Sequence, residues 1–286
     1  MPMTRARLPR PLVSTAWLHE HLGEADLVVL DASWYLPAAG RDPRAEFAQG
    51  HIPGARFWDL DLNSAPDPAL PHMLPSAEAL ERVIGGLGIG AATRVVVYDG
   101  SGANLSAPRV WWTLRVAGHE DVAELDGGMT AWRAEGRPCE AGPSTPVPAR
   151  FRVRLRPELV ASREAVRARL ADPHTQLVDA RSSGRFHGTE PEPRPGLRGG
   201  HIPGARNLPF GAVTGADGRL LPVDELRGRF LDAEIDLERD IVVSCGSGVS
   251  ACALGLGLEV LGHHRWAVYD GSWADWGRAG GPPIAR

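Results

Sequence analysis

Cys245 is the side chain with the most chemistry to offer. It is followed by Gly246-Ser247-Gly248-Val249-Ser250-Ala251 and an apolar run to Leu261. The run before it, Ile241-Val242-Val243-Ser244, reads as a buried strand, which places the cysteine on a strand-to-helix turn. Backbone N–H groups at a helix start have no intrahelical partner, and the helix dipole adds positive potential there. A turn that curls its amides around sulfur favours thiolate over thiol and raises nucleophilicity at neutral pH. Gly246 and Gly248 let the turn take dihedrals closed to other residues. Cysteine-based phosphatases use a similar turn, but they need an Arg six residues after the nucleophile; that position is Ala251, and the loop holds no Arg at all. The alternative is a buried structural cysteine, but the carboxyl end of a parallel strand is where open α/β sheets bind ligands, and this favours a nucleophile.

The elements that must position this turn come in two copies. His51-Ile52-Pro53-Gly54-Ala55 recurs as His201-Ile202-Pro203-Gly204-Ala205, and Val29-Leu30-Asp31-Ala32 as Leu177-Val178-Asp179-Ala180. Val95 to Gly102 recurs as Ile241 to Gly248, and Leu125-Asp126-Gly127 through Trp132 as Tyr269-Asp270-Gly271 through Trp276. Ordered matches with slowly drifting offsets mean a duplicated domain. Leu27–Leu30, Arg94–Tyr98 and Val122–Leu125 predict strands in the first copy, and Gln176–Val178, Ile241–Ser244 and Trp266–Tyr269 in the second. Ser14, Ser76, Ser162 and Ser250 are the expected helix N-caps. Strands alternating with helices predict an α/β protein, each copy a mainly parallel sheet covered by helices on both faces. The proline-rich stretch 139–157 reads as a linker between units at 1–138 and 158–286. At the position of Cys245 the first copy has Asp99, so only the second copy can be a thiol catalyst.

Composition narrows the chemistry further. The 286 residues carry a formal net charge of −4, which argues against nucleic acid or an anionic membrane as partner. All 31 basic residues are Arg, which excludes Schiff-base chemistry and a P-loop lysine. Three cysteines, spaced unevenly, are too few for a disulfide framework or a zinc site and suit a reducing, cytoplasmic compartment. No apolar segment follows the Arg residues of Met1–Arg10, so no secretory leader is expected there. The uncharged stretch Ile241 to Leu258 approaches membrane-span length, but its Gly and Ser residues break it into strand, turn and helix. Cys252 reads as core packing, Cys139 as a linker thiol, and His51 and His201, present in both copies, as supports of the His-Ile-Pro-Gly turn.

With these residues on the page, the chain resembles the tandem-rhodanese sulfurtransferase family over nearly its whole length. The matching segments are Asp31 to Pro37, His51 to Ala55, His72 to Pro75, Ser106 to Trp112, Gly184-Arg185-Phe186, Gly188 to Arg194, the Cys245 loop and Tyr269 to Trp273. The resemblance implies two rhodanese-like domains, the first non-catalytic, and sulfur transfer through a persulfide on Cys245 without metal or organic cofactor. The loop Cys-Gly-Ser-Gly-Val is similar to that of members using 3-mercaptopyruvate, whereas thiosulfate-using members carry basic residues directly after the cysteine. By the same resemblance, Arg185 and Arg194 bind the donor's carboxylate and ketone oxygens, and Gly246, Gly248, Val249 and Ser250 line the sulfur site. Ser247, His72 and Asp61 occupy the positions of a triad-like proton relay; the other reading of His72 is an interface histidine without proton transfer. Leu105 stands where relatives present an aromatic hydroxyl, so no hydrogen bond is expected from that point. The implied acceptor is a thiol, thioredoxin among the candidates, or cyanide. A thiosulfate:cyanide sulfurtransferase and a non-enzymatic binding or redox-sensing module remain the alternatives.

Overall fold

The computed structural model describes residues 8–286. Residues 1–7, on which the expectation about a leader partly rests, lie outside the described residues. The first copy contains β1 (Leu12–Val13), α1 (Thr15–His21), β2 (Leu27–Asp31), α2 (Pro43–Gln49), β3 (Arg56–Phe57), α3 (Ala77–Gly86), β4 (Arg94–Tyr98), α4 (Ala107–Val116), β5 (Val122–Leu125) and α5 (Gly128–Ala134). The second contains β6 (Val160–Ala161), α6 (Arg163–Arg169), β7 (Thr175–Asp179), α7 (Ser183–His187), β8 (Arg206–Asn207), α8 (Val223–Asp232), β9 (Asp240–Ser244), α9 (Ala251–Val260), β10 (Trp266–Tyr269) and α10 (Ser272–Trp276). Short helical turns complete both.

Each copy builds one five-stranded sheet, in the order β1-β5-β4-β2-β3 and β6-β10-β9-β7-β8, and every pairing between these strands is parallel. Val95, Val96 and Val97 of β4 and Val243 of β9 are fully buried, which is why these strands read as unbroken apolar runs rather than alternating ones. Burying each such side chain contributes about 1.5–3 kcal/mol. The strands foreseen from the sequence are present, some extended by a residue. The two-residue edge strands β1, β3, β6 and β8 were not foreseen, because so short a segment carries no periodic signal.

Ser14, Ser76 and Ser162 cap α1, α3 and α6 by accepting the amides of Trp17, Ala79 and Ala165. Such caps are worth about 1 kcal/mol each. Ser250 stands at the corresponding position of α9, but its side chain caps nothing. This corrects the expectation: its backbone is already helical (φ −70°, ψ −15°), so the hydroxyl does not point back at the first turn. The linker packs against the first copy. Phe151 is buried against the core, Ala149 N–H donates to Gly85 O at 2.8 Å, and Arg154 N–H to Ala117 O at 3.0 Å.

The two copies share one core. Helices α4 and α9 pack against each other, and Trp111 of α4 stacks on Trp266 of β10 with ring centroids 6.0 Å apart. The repeated histidines do what repetition suggested: His51 stacks on Phe47 and bonds its carbonyl at 2.8 Å, and His201 does the same with Phe186 at 3.0 Å. The Ile241–Leu258 stretch is split between β9 and α9, and no described helix is long and apolar enough to cross a membrane.

Candidate active site

Cys245 directly follows β9, the central strand of the second sheet, and the turn after it leads into α9. The outer side of the turn is held by α10: Trp273 N–H donates to Cys245 O at 3.0 Å and Ala274 N–H to Gly246 O at 2.8 Å. Cys245 N–H donates to Ser272 Oγ at 3.1 Å. The N–H groups of Gly246, Ser247, Gly248, Val249 and Ser250 find no acceptor among the described residues. Gly248 sits at φ +75°, and a Cβ there would lie 2.7 Å from Asp270 O, so only glycine fits. Val249 is buried in the core, so only its backbone belongs to the loop's open face.

The first copy shows the same turn closed. Asp99 Oδ1 accepts the amide of Ser101 at 2.8 Å, and its Oδ2 accepts those of Ser106 and Ala107 at 2.8 and 2.9 Å. Gly100 N–H donates to Ser33 Oγ at 2.8 Å. A carboxylate belonging to the chain fills the amide nest of copy one, while that of copy two is left open beside a thiol.

Two guanidinium groups stand over the open loop. A Cβ placed on Gly246 would lie 3.0 Å from Arg185 Nη2 and 3.8 Å from Arg194 Nη1. They are not equivalent. Arg185 is paired with Glu192 at 2.6 Å, and Glu192, almost wholly buried, also binds Arg181 at 2.7 Å. Arg194 is half-buried and makes no ion pair among the described residues. Burial holds its guanidinium below the usual range, opposed by the nearby charge of Cys245.

The relay residues come together across the domain interface. His72 Nδ1 lies 2.9 Å from Ser247 Oγ, and His72 Nε2 lies 3.0 Å from Asp61 Oδ1. Trp34 Nε1–H donates to Asp61 Oδ1 at 3.1 Å, and its ring packs edge-on to His72 at 4.8 Å. The hydrogen bond from His72 holds the Asp61 carboxyl below its ordinary value. An ionised Asp61 accepts from Nε2–H, which leaves Nδ1 to accept the Ser247 hydroxyl proton. Burial lowers the His72 pKa, with Asp61 opposing and Arg109 and Arg194 adding to the fall. His72 is therefore held neutral, the form in which it can take a proton from Ser247.

Other residues behave as expected or fall elsewhere. Cys252 is buried, burial pushes its thiol well up, and its Sγ contacts Gly248 O at 3.3 Å. Cys139 is exposed. Leu105 packs against the core. His264 pairs with Glu259 at 3.0 Å. A cavity of about 780 Å³ between the copies is lined by Trp111, Arg115, Glu259 and Trp266. It opens at the amino ends of β9 and β10, away from the carboxyl end where Cys245 sits. Sequence reasoning missed Arg109, Asp270, Trp34 and Glu192. For Asp270 a signal existed in its repetition as Asp126: each accepts an amide from the other copy, Leu74 N–H at 2.8 Å and Leu220 N–H at 2.9 Å.

Two parallel five-stranded units in tandem, one turn bearing a thiol and its counterpart plugged by an acid, define a duplicated rhodanese-type protein. The profile of the Rhodanese-like domain matches residues 14–135 and 162–279, and the chain belongs to that family. It is 45% identical over 279 residues to the human protein called 3-mercaptopyruvate sulfurtransferase, covering 96% of this chain and 94% of that one. It is 42% identical to the thiosulfate sulfurtransferase of Rattus norvegicus, covering 99% of this chain and 97% of that one. Among solved structures it matches the 3-mercaptopyruvate sulfotransferase SseA from Escherichia coli with TM-score 0.84 and 35% identity, over 92% of this chain and 98% of that one.

Proposed function

We infer that this chain is a 3-mercaptopyruvate sulfurtransferase. The observation that carries the reading is a cysteine loop without a cation of its own, overlooked by Arg185 and Arg194 from outside. Thiosulfate is a compact dianion whose counter-charge belongs beside the sulfur. Mercaptopyruvate carries its charge on a carboxylate several atoms from its thiol, where a planar guanidinium can meet it with paired hydrogen bonds.

In the proposed cycle the Cys245 thiolate attacks the substrate sulfur. A sulfur–sulfur bond forms, the carbon–sulfur bond breaks, and its electron pair leaves as the enolate of pyruvate, which Arg185 and Arg194 stabilise. The substrate's thiol proton ends on the enolate carbon, passed by Ser247 with His72 as acceptor and Asp61 behind it. The persulfide left on Cys245 lies among the open amides of Gly246 to Ser250. A thiolate acceptor, a small thiol or a dithiol protein of the thioredoxin kind, then takes the outer sulfur and restores Cys245. The three free thiols suit a reducing, cytoplasmic setting. Two half-reactions through one covalent intermediate give ping-pong kinetics.

Donor-specificity kinetics with a thiol acceptor test this reading. The expected kcat/KM for mercaptopyruvate exceeds that for thiosulfate by about a hundredfold or more. Equal values, or a preference for thiosulfate, would support the thiosulfate:cyanide alternative. No turnover with either donor would leave a binding module.

The state of His72 gives a second expectation. An unfolded His titrates near pH ~6.5, and burial sets the folded value lower. The unfolded chain thus binds more protons in between, so this group contributes stability above ~6.5 that is lost as the pH falls toward the folded value. The acid limb of kcat should lie below pH ~6.5 and move lower still in Asp61→Asn, which removes the charge that props His72 up. A limb that stays put in that variant would separate His72 from proton transfer.

A further inference from the structure

The two copies can be overlaid residue by residue at their interface, and the overlay has two conspicuous departures. Gly218 of the second copy sits at φ +80°, in the left-handed region, just before Leu220 reaches across to Asp126. The first copy has His72 at the matching place, at φ +64°, just before Leu74 reaches across to Asp270. Few non-glycine residues hold that conformation unless the surroundings enforce it, and such residues gather at functional sites. The second departure lies on the helices. Both α4 and α9 begin with Ala, and their third residue is Arg109 in the first copy and Ala253 in the second.

The two departures meet. Arg109 Nη2 donates to the carbonyl of His72 itself, and Nη1 donates to Gly248 O at 3.2 Å, inside the Cys245 loop. The same Nη1 lies 2.7 Å from Asp270 Oδ1 in an ion pair with both side chains buried. Asp270 Oδ2 takes the Leu74 amide at 2.8 Å, two residues beyond His72. The Trp112 ring lies under the guanidinium at 4.4 Å and fixes its plane. One guanidinium therefore holds the backbone of His72 and the backbone one residue past Ser247, the two ends of a 2.9 Å side-chain contact. A lysine has no second arm to do this.

Resting on the sulfurtransferase reading, we propose that Arg109, with Asp270 opposite it, is a positioning residue that sets the His72–Ser247 contact across the domain interface. It touches no substrate. It acts by fixing the separation of two backbones that belong to different domains, so that Ser247 meets Nδ1 in line rather than at an angle or through water. The buried pair is present on the catalytic side of the interface, and the matching helix on the other side carries only Ala253.

The test pairs Arg109→Met with Asp270→Asn, so that no buried charge is stranded, and compares it in two backgrounds. Against wild type, kcat with mercaptopyruvate should fall by about tenfold or more while KM changes little. In Ser247→Ala the same pair of substitutions should cost less than about threefold, because the contact it serves is already gone. Equal falls in both backgrounds, or a rise in KM with kcat unchanged, would overturn the proposal and make Arg109 a general structural strut. A second readout does not depend on turnover. The ¹⁵N resonance of His72 Nδ1, identified by its loss in His72→Gln, should shift in the paired variant in the direction it shifts in Ser247→Ala. An unmoved resonance overturns the proposal even if the chain proves to catalyse something else, whereas absent turnover in wild type counts against the sulfurtransferase reading alone. Should the paired variant fail to fold, Arg109→Lys keeps the charge facing Asp270 and carries both measurements.

Discussion

Cys245→Ser is expected to lower sulfur transfer from mercaptopyruvate by at least about 10³-fold. The substitution changes little in the fold, because the two side chains are nearly isosteric. What it removes is the thiol at the head of the open turn. A serine oxygen at neutral pH is not ionised and forms no stable bond to a transferable sulfur. Weighing the intact protein after exposure to mercaptopyruvate without acceptor checks this directly. Wild type should gain one sulfur atom, and the variant none. An adduct that persists in the variant would move the chemistry to Cys252 or Cys139, although Cys252 is buried with its thiol pushed far up and is the poorer nucleophile.

Arg194→Ala should lower kcat/KM for mercaptopyruvate by about a hundredfold, and Arg185→Ala by about tenfold. A hydrogen bond to a charged group is worth about 1.5–3 kcal/mol, which corresponds to roughly 10- to 150-fold. Arg194 stands at the upper end because it makes no ion pair with a carboxylate among the described residues. Arg185 stands at the lower end because Glu192 already takes its Nη2 at 2.6 Å and partly neutralises it. The double variant should lose most of the preference for mercaptopyruvate over thiosulfate. Parallel measurements with both donors decide it: equal proportional losses would mean that the two guanidiniums serve the loop rather than the donor's carboxylate.

How much of this was legible beforehand depends on what kind of signal each residue sends. The central strands were visible because burial on both faces leaves runs of consecutive apolar residues in them, such as Val95-Val96-Val97 and Ile241-Val242-Val243. The edge strands, two residues each, carry no period and emerge only from pairing. The Cys245 turn was visible because duplication supplies its own control: the same strand ends in Asp99 in one copy and in cysteine in the other. His72 and Asp61 came from family resemblance alone, since no local pattern ties them to a serine 175 residues beyond His72 in the chain. Arg109 could have been suspected, for it interrupts the otherwise apolar run Ala107 to Trp112 of a helix that has to be buried, and buried Arg is rarely unpaired. The repetition of Asp270 as Asp126 marks its position but not that it pairs with Arg109, because ion pairing across domains is a property of docking. The packing of the proline-rich linker was not legible, since proline content says that a segment is extended but not whether a neighbouring surface receives it.

The acid at position 99 has a consequence for how a duplicated enzyme keeps its spare half. By occupying its own ligand hollow, Asp99 makes that hollow incapable of holding a foreign anion and, in the same stroke, stiffens the bend that leads into α4. α4 is the helix from which Arg109 reaches the neighbouring domain. The lack of a thiol and the presence of a rigid abutment are therefore one feature of this position rather than two. A thiol placed at that spot would loosen the very support on which the working half leans.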